Sequence, residues 1–310
     1  MILLWGVPTD EPMAAVADAL RTACSRVAFL DQRRALETEV ELRIGATVEG
    51  RLRVGDDEVD LAEVGAAYIR PYESVRMPAI QRAGAESIEA GHALSVEDAV
   101  SSWLEVTPAL VVNRPSAMAS NSSKPYQSEL IRSHGFATPP TLLTTDGAAV
   151  AEFVAEHGRA VYKSISSTRS IVHRVDVGDT ERLKELRWCP TQFQAQVPGE
   201  DVRVHVIGDE VFASAIESGS DDYRYASADG GARIRPFALP GDLAERCQAL
   251  AVALELPVAG IDLRRSPDNV WFCFEVNPAP GFSYFQEATA QPMSDAIARL
   301  LTRSAEPALV

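Results

Sequence analysis

Two segments near the C-terminal end hold the side chains best suited to chemistry: Gly260-Ile-Asp-Leu-Arg-Arg265 and Trp271-Phe-Cys-Phe-Glu-Val-Asn-Pro278. Both read as strands, joined by a turn at Ser266-Pro-Asp-Asn269. Strand side chains alternate between faces, so Asp262, Glu275 and Asn277 can converge on one of them. Two carboxylates and an amide make a set of hard oxygen donors suited to Mg2+, which completes its octahedron with water and substrate phosphate. Acids that merely meet solvent at strand ends are the alternative. Glu275 argues against it, because it stands inside the apolar run 270–276, where a carboxylate without a partner is costly.

Such strands need a frame, and the rest of the chain supplies one. Residues 2–5 read as an apolar strand, 11–24 as an Ala-rich helix and 27–30 as a second strand, a βαβ beginning. Alternating segments at 40–44, 51–54 and 66–70 add strands, 85–104 reads as a helix, and 110–113 as a short buried strand before the Pro115 turn. A helix over 122–134 follows, with Tyr126, Leu130 and Ile131 at helical spacing and Gly135 as its stop. Asp146 caps a helix ending at His157, strands follow at 160–163 and near 170–175, and 180–186 is helical. Strands at 192–197, 201–207, 210–217, 259–264 and 270–276 and helices at 242–254 and 292–301 complete an α/β (α+β) chain. The expected division is 1–112, 113–190 and 191–310.

Composition sets the outer limits. The 310 residues are 46% hydrophobic and 24% charged, which suits two or three domains in one globular body and excludes a disordered chain. The 44 acidic residues outnumber the 29 basic ones, giving a net charge of −15, so nucleic acid and acidic membranes are not expected partners. Cys24, Cys189, Cys247 and Cys273 lack metal-ligand or disulfide-framework spacing and read as buried thiols of a reducing compartment. The first ten residues lack a basic signal-peptide start, and no apolar run nears the ~18 residues a membrane span needs. The expectation is a soluble, cytoplasmic protein.

Six segments occur in an order that resembles the ATP-grasp ligase superfamily: Asn113-Arg-Pro-Ser-Ala, Asn121-Ser-Ser-Lys-Pro-Tyr, Val161-Tyr-Lys, Gln194-Ala-Gln-Val-Pro-Gly-Glu-Asp-Val-Arg203, Gly260-Ile-Asp-Leu-Arg and Phe274-Glu-Val-Asn-Pro. The resemblance runs from about Asn113 to Leu301, and is nearest to the ribosomal-protein glutamate ligase type and the graspetide (microviridin-like) macrocyclases. Residues up to Ile69-Arg-Pro-Tyr72 are similar to the pre-ATP-grasp domain of the latter. The resemblance implies an ATP-grasp fold with a central lid subdomain and a C-terminal antiparallel-sheet subdomain. It also implies ATP with one or two Mg2+ ions, or Mn2+ in their place.

Roles then attach to positions. The resemblance gives Lys124 and Lys163 contacts to the α- and β-phosphates, although each also reads as a solvated lysine. It makes Gln194, Ala195, Gln196 and Val197 the hinge whose backbone meets adenine, and turns Glu200 or Asp201 to the ribose. Alternation sets Asp201, Arg203 and His205 on one strand face, toward solvent or a cleft, and Arg264 shares the face of Asp262. In the family the arginine at Arg203 meets γ-phosphate or acyl-phosphate oxygens, and Arg264 can hold the same developing charge; Lys163, Arg203 and Arg264 form the implied catalytic set. His205 reads equally as a cross-strand neighbour and receives no role as a base. One departure is Ser164-Ile-Ser-Ser-Thr-Arg-Ser170, where such enzymes commonly have a glycine-rich loop; here hydroxyls of Ser166, Ser167 and Thr168 with Arg169 bind phosphate, or the loop is merely polar. The aromatics of Ser218–Ala226 and Pro280–Phe285 either grip an acceptor or pack between domains.

The implied reaction is ADP-forming ligation. A carboxylate attacks the γ-phosphate, an amine or hydroxyl attacks the resulting acyl phosphate, and a lid over 141–186 excludes water. The carboxylate and acceptor are expected on an amino acid or a precursor peptide, with a homodimer as the common assembly of such ligases. A kinase that stops at phosphorylation and a non-catalytic nucleotide-binding protein are the rival readings.

Overall fold

The computed structural model describes residues 1–23, 25–164, 173–176, 178, 180–218 and 232–305. The chain opens with β1 (Ile2–Gly6), α1 (Glu11–Thr22) and β2 (Val27–Asp31), then β3 (Thr38–Ile44), β4 (Val48–Val54) and β5 (Asp57–Asp60). It continues through β6 (Ala66–Arg70), α2 (Pro78–Ala83), α3 (Ile88–Val106) and β7 (Leu110–Val112). Asp10 starts α1 by accepting from the Met13 amide, with Pro12 in the first turn, where the missing N–H costs nothing. The order β2-β1-β6-β7 forms a parallel sheet, while β3-β4-β5 is a separate antiparallel ribbon. Strand β1 and, up to Arg70, strand β6 are apolar because helices cover both faces, α3 on one and α1 on the other.

After α4 (Pro115–Met118) and α5 (Lys124–Ser133), a second unit contains β8 (Thr141–Thr144), α6 (Gly147–His157), β9 (Ala160–Ser164), β10 (His173–Arg174), α7 (Thr180–Glu185) and β11 (Thr191–Ala195). Its sheet runs β10-β9-β11-β8, and Asp146 caps α6 as expected. One face packs Tyr162, Phe193, Leu142 and Ala195 against Val150 and Phe153 of α6. The other carries Lys163, Gln192, Gln194 and Thr141.

The third unit comprises β12 (Glu200–Ile207), β13 (Glu210–Glu217), β14 (Arg233–Pro236), α8 (Gly241–Ala253), β15 (Val258–Arg265), β16 (Trp271–Asn277), α9 (Ser283–Thr289) and α10 (Met293–Ala305). Its antiparallel sheet has the order β14-β13-β12-β15-β16. Val202, Val204, Ile261, Leu263 and Val276 pack beneath α5 and α8. Although last in the chain, α10 lies on the N-terminal sheet, where Ile297 and Leu301 share a core with Val16, Leu20 and Tyr68. The N-terminal layer is thus completed by the opposite end of the sequence.

Several expectations change. In α5 the buried residues are Lys124, Gln127 and Ile131, while Tyr126 is exposed, because the helix turns Lys124 and Gln127 toward β16 and sets only Leu130 and Ile131 against the core. The strand expected over 192–197 stops at Ala195, since Pro198 and Gly199 redirect the chain; a Cβ on Gly199 would lie 2.2 Å from the Arg265 carbonyl oxygen, at φ +149°. Strands β5, β8 and β14 and helices α2 and α9 lacked a clear periodic signal. Cys247 and Cys273 are buried, and burial pushes both thiols up, Cys247 to about 12; Cys189 is exposed, and Cys24 lies outside the described residues. Residues 165–170 and 219–226, and part of the strand expected near 170–175, also lie outside them. Among the described residues no helix is long and apolar enough to cross a membrane.

Candidate active site

The register of the third sheet builds the site. Arg203 on β12 pairs with Asp262 on β15, which pairs with Glu275 on β16, so three charged residues form one row across three strands. Rows on either side bring Asp201 beside Arg264, and His205 beside Gly260 and Asn277. The predicted sharing of a face by Asp262, Glu275 and Asn277 is observed. A β-bulge after Asp262 takes up Phe274 and keeps both acids on that face.

Two lysines reach this row from different units. The Lys124 ammonium, in the first turn of α5, donates to Glu275 Oε2 at 2.9 Å, and that of Lys163, on β9, lies 3.7 Å from the same oxygen. Arg203 donates to Asp262 Oδ1 at 2.6 Å. Both lysines and Arg203 are buried, which removes the solvated-lysine reading, and with Arg203 and His205 buried the polar stripe of β12 is largely covered rather than turned to open water. Burial alone would raise the Glu275 carboxyl. The charges of Lys163 and Lys124, the Lys124 hydrogen bond and Arg203 outweigh it and hold the group at about 2. Three buried cations thus face two partly buried carboxylates, a local excess of positive charge inside an acidic protein.

The remaining predicted residues are placed as follows. Arg264 makes a two-point contact with Asp201, at 2.6 and 2.8 Å, and donates to the Val197 carbonyl at 2.8 Å. Glu200 lies on the opposite face, where it accepts from Arg235 and Arg265, so of the two ribose candidates only Asp201 is on the side of Arg203. In the hinge, the Ala195 amide donates to Pro140 O and that of Gln196 to Arg159 O. The Val197 amide has no intramolecular acceptor among the described residues. Gln194 donates to the Thr141 hydroxyl at 3.2 Å. Asn277 accepts from the Ala279 amide at 2.9 Å. His205 is fully buried, packed edge-on to Phe285; burial and then the Arg203 charge keep its imidazole neutral, well below the ordinary range.

Four residues with no assigned role prove to hold the site in place. A Cβ on Gly260 would lie 2.2 Å from an Arg203 guanidinium nitrogen and 2.7 Å from the Pro280 ring, so only glycine leaves room for Arg203 to reach Asp262. Asn113 donates to the carbonyls of Val258 and Pro278 and accepts from the Val258 amide. Arg70, paired with Asp10 at 2.7 Å, donates to the Pro280 carbonyl. Gln127 grips the backbone of Val276 in both directions, at 2.8 and 2.9 Å. The spacing of Lys124, Gln127 and Ile131 as i, i+3 and i+7 was the available sign of the last; Gly260 and Asn113 open two of the segments that carry the resemblance, but act through neighbours distant in sequence, so their roles had no sign in spacing.

The donor set fits a nucleotide with a divalent ion. Among the described residues no three of His, Cys, Asp and Glu cluster into a metal cage. Two carboxylates and an amide instead match an ion that draws its other ligands from water and phosphate. Buried cations aimed at the same point match the phosphates themselves.

The family model described as a RimK-like ATP-grasp domain matches residues 130–301, just over half of the chain. A probable alpha-L-glutamate ligase of Cellvibrio japonicus is 29% identical over 129 residues, 41% of this chain and 42% of that protein. The match thus spans about two fifths of the length of the first curated relatives. Among solved structures, macrocyclase MdnC of Microcystis aeruginosa, bound with precursor peptide MdnA, superposes with a TM-score of 0.82 at 22% identity, covering 97% of this chain and 99% of that one. The ATP-grasp ligase PsnB, complexed with minimal precursor, Mg and ADP, superposes with a TM-score of 0.79 at 25% identity, covering 98% and 97%.

Proposed function

Since this chain belongs to the RimK-like ATP-grasp family, we propose that it is an ADP-forming ligase that joins a carboxylate to an amine or hydroxyl, acting on a peptide. The observation that carries the reading is the row Arg203–Asp262–Glu275 with Lys124 and Lys163 converging on it. ATP lies between the second and third units. Lys124 and Lys163 hold its phosphates as point charges, and the Val197 amide is free to meet the base. Asp262, Glu275 and Asn277 hold Mg2+, which supplies charge neutralisation across the phosphates.

The chemistry follows from charge placement. A substrate carboxylate oxygen attacks the γ-phosphorus and ADP leaves, while Lys163 and Arg203 stabilise charge on the transferring group. An amine or hydroxyl then attacks the acyl carbon, phosphate departs with the former carboxylate oxygen, and the guanidinium of Arg264 supports the tetrahedral oxyanion. A peptide substrate is supported by MdnC and PsnB, whose structures hold precursor peptides and whose fold matches nearly the whole chain. The curated glutamate ligases match only a part of theirs.

Incubating the full chain with ATP, Mg2+ and pools of amino acids and short acidic peptides tests the reading, with ADP release and product masses as readouts. A product lighter than its reactants by one water, formed with ADP, supports it. A product carrying a phosphoryl group indicates a kinase instead, and nucleotide binding with no product under any pool contradicts ligation.

A further inference from the structure

One polar group in the cleft is used neither by the fold nor by the roles above. Gln192 is 2% exposed, and its side-chain carbonyl oxygen has no hydrogen-bond partner among the described residues. It sits in an inner strand of the second sheet, β11, directly across from Lys163 on β9 and Leu143 on β8. Alternation puts it on the cleft face, away from the apolar layer formed by Phe193, Tyr162 and Leu142 against α6. Buried amides ordinarily find partners, and one left open beside a phosphate-type lysine is expected to meet a ligand.

From this position we infer that Gln192 reads the base of the bound nucleotide and selects adenine; the inference rests on the nucleotide site proposed above. A glutamine amide presents an acceptor and a donor side by side. The 6-amino group and N7 of adenine present the complementary donor and acceptor, so the two meet through a pair of hydrogen bonds. Hypoxanthine offers oxygen at position 6 and nitrogen at 7, two acceptors, so either orientation of the amide sets its carbonyl against a lone pair. Gln194, two residues on, cannot take the same part while its amide nitrogen is committed to Thr141. Gln192 is therefore a specificity residue, and its open carbonyl is the state of a reader before its base arrives.

The test compares ADP and IDP binding by calorimetry, with Mg2+, to the full-length wild type and to Gln192→Met, which keeps the volume and removes both polar atoms. The expected result is a wild-type preference for ADP of about 10-fold or more, which Gln192→Met abolishes by weakening ADP alone. The melting temperature of the nucleotide-free variant stays level or rises, because an apolar side chain replaces an unpartnered amide. Unchanged ADP affinity in the variant overturns the inference, as does equal weakening of ADP and IDP with a lowered melting temperature, the mark of a packing role. Wild-type protein that binds neither nucleotide overturns the site itself, a result distinct from either.

Discussion

The antiparallel ribbon β3–β5 and the row across β12, β15 and β16 are built alike, each an antiparallel sheet that sets acids against bases in register. On the ribbon, Arg53 pairs with Glu39 and Arg51 with Glu58, and the first pair leaves 52% and 66% of its side chains exposed. In the cleft, Lys124 and Glu275 expose 9% and 22%. Water screens the first set, so its pairing is worth little and its partners are interchangeable. The second set is mostly shielded from water, so each charge depends on the others, and removing Glu275 leaves buried lysines uncompensated. Acid–base pairs thus make a solvated surface in one place and a site poised to exchange partners in the other, and burial is the main difference between them.

The sharpest way to break the comparison is at Glu275. Glu275→Gln keeps shape and removes the charge that the two lysines share, and ADP formation is expected to fall by about 100-fold or more, with Lys163→Ala close behind. The check is the steady-state rate alongside the circular dichroism spectrum, which should remain that of a folded protein. Gly260→Ala comes next: the new methyl group must displace Arg203 from Asp262, costing about 1–3 kcal/mol of stability as overpacking, with nucleotide turnover lowered more than nucleotide affinity. Denaturant melts and separate kcat and KM values distinguish the two effects.

A smaller effect sharpens the contrast through pH. His205 is held neutral in the folded protein but titrates near 6.5 when unfolded, so the unfolded state binds the extra proton below that pH. Stability present above pH 6.5 is therefore lost as pH falls, by about 1.4 kcal/mol per unit. His205→Leu should flatten that slope in urea melts between pH 6.5 and 5.5. The smallest effect belongs to the ribbon, where Glu39→Ala should change stability by less than about 1 kcal/mol and leave ADP formation untouched.

What was legible in the sequence follows the same division. Asp262, Glu275 and Asn277 could be set on one face because strand alternation has a period of two, and an acid in an apolar run announces a partner. The capped helix after Asp146 was equally plain. The true face of α5 was hidden, because Lys124 and Gln127 are polar residues buried by contacts to β16, more than 140 positions away. The roles of Gly260, Asn113 and Arg70 had no sign in spacing, since each residue acts on backbone or side chains brought close only by the completed fold. The placement of α10 on the N-terminal sheet is likewise a property of the whole chain.

The central claim is that this cleft activates a carboxylate by phosphorylating it. The most direct measurement supplies ATP and Mg2+ with a substrate pool labelled with 18O in its carboxylates, and follows the isotope in the released phosphate. One labelled oxygen per phosphate, appearing together with ADP and a product lighter by one water, is the predicted result. Ligated product accompanied by unlabelled phosphate, or a phosphorylated product with no phosphate released, would contradict it.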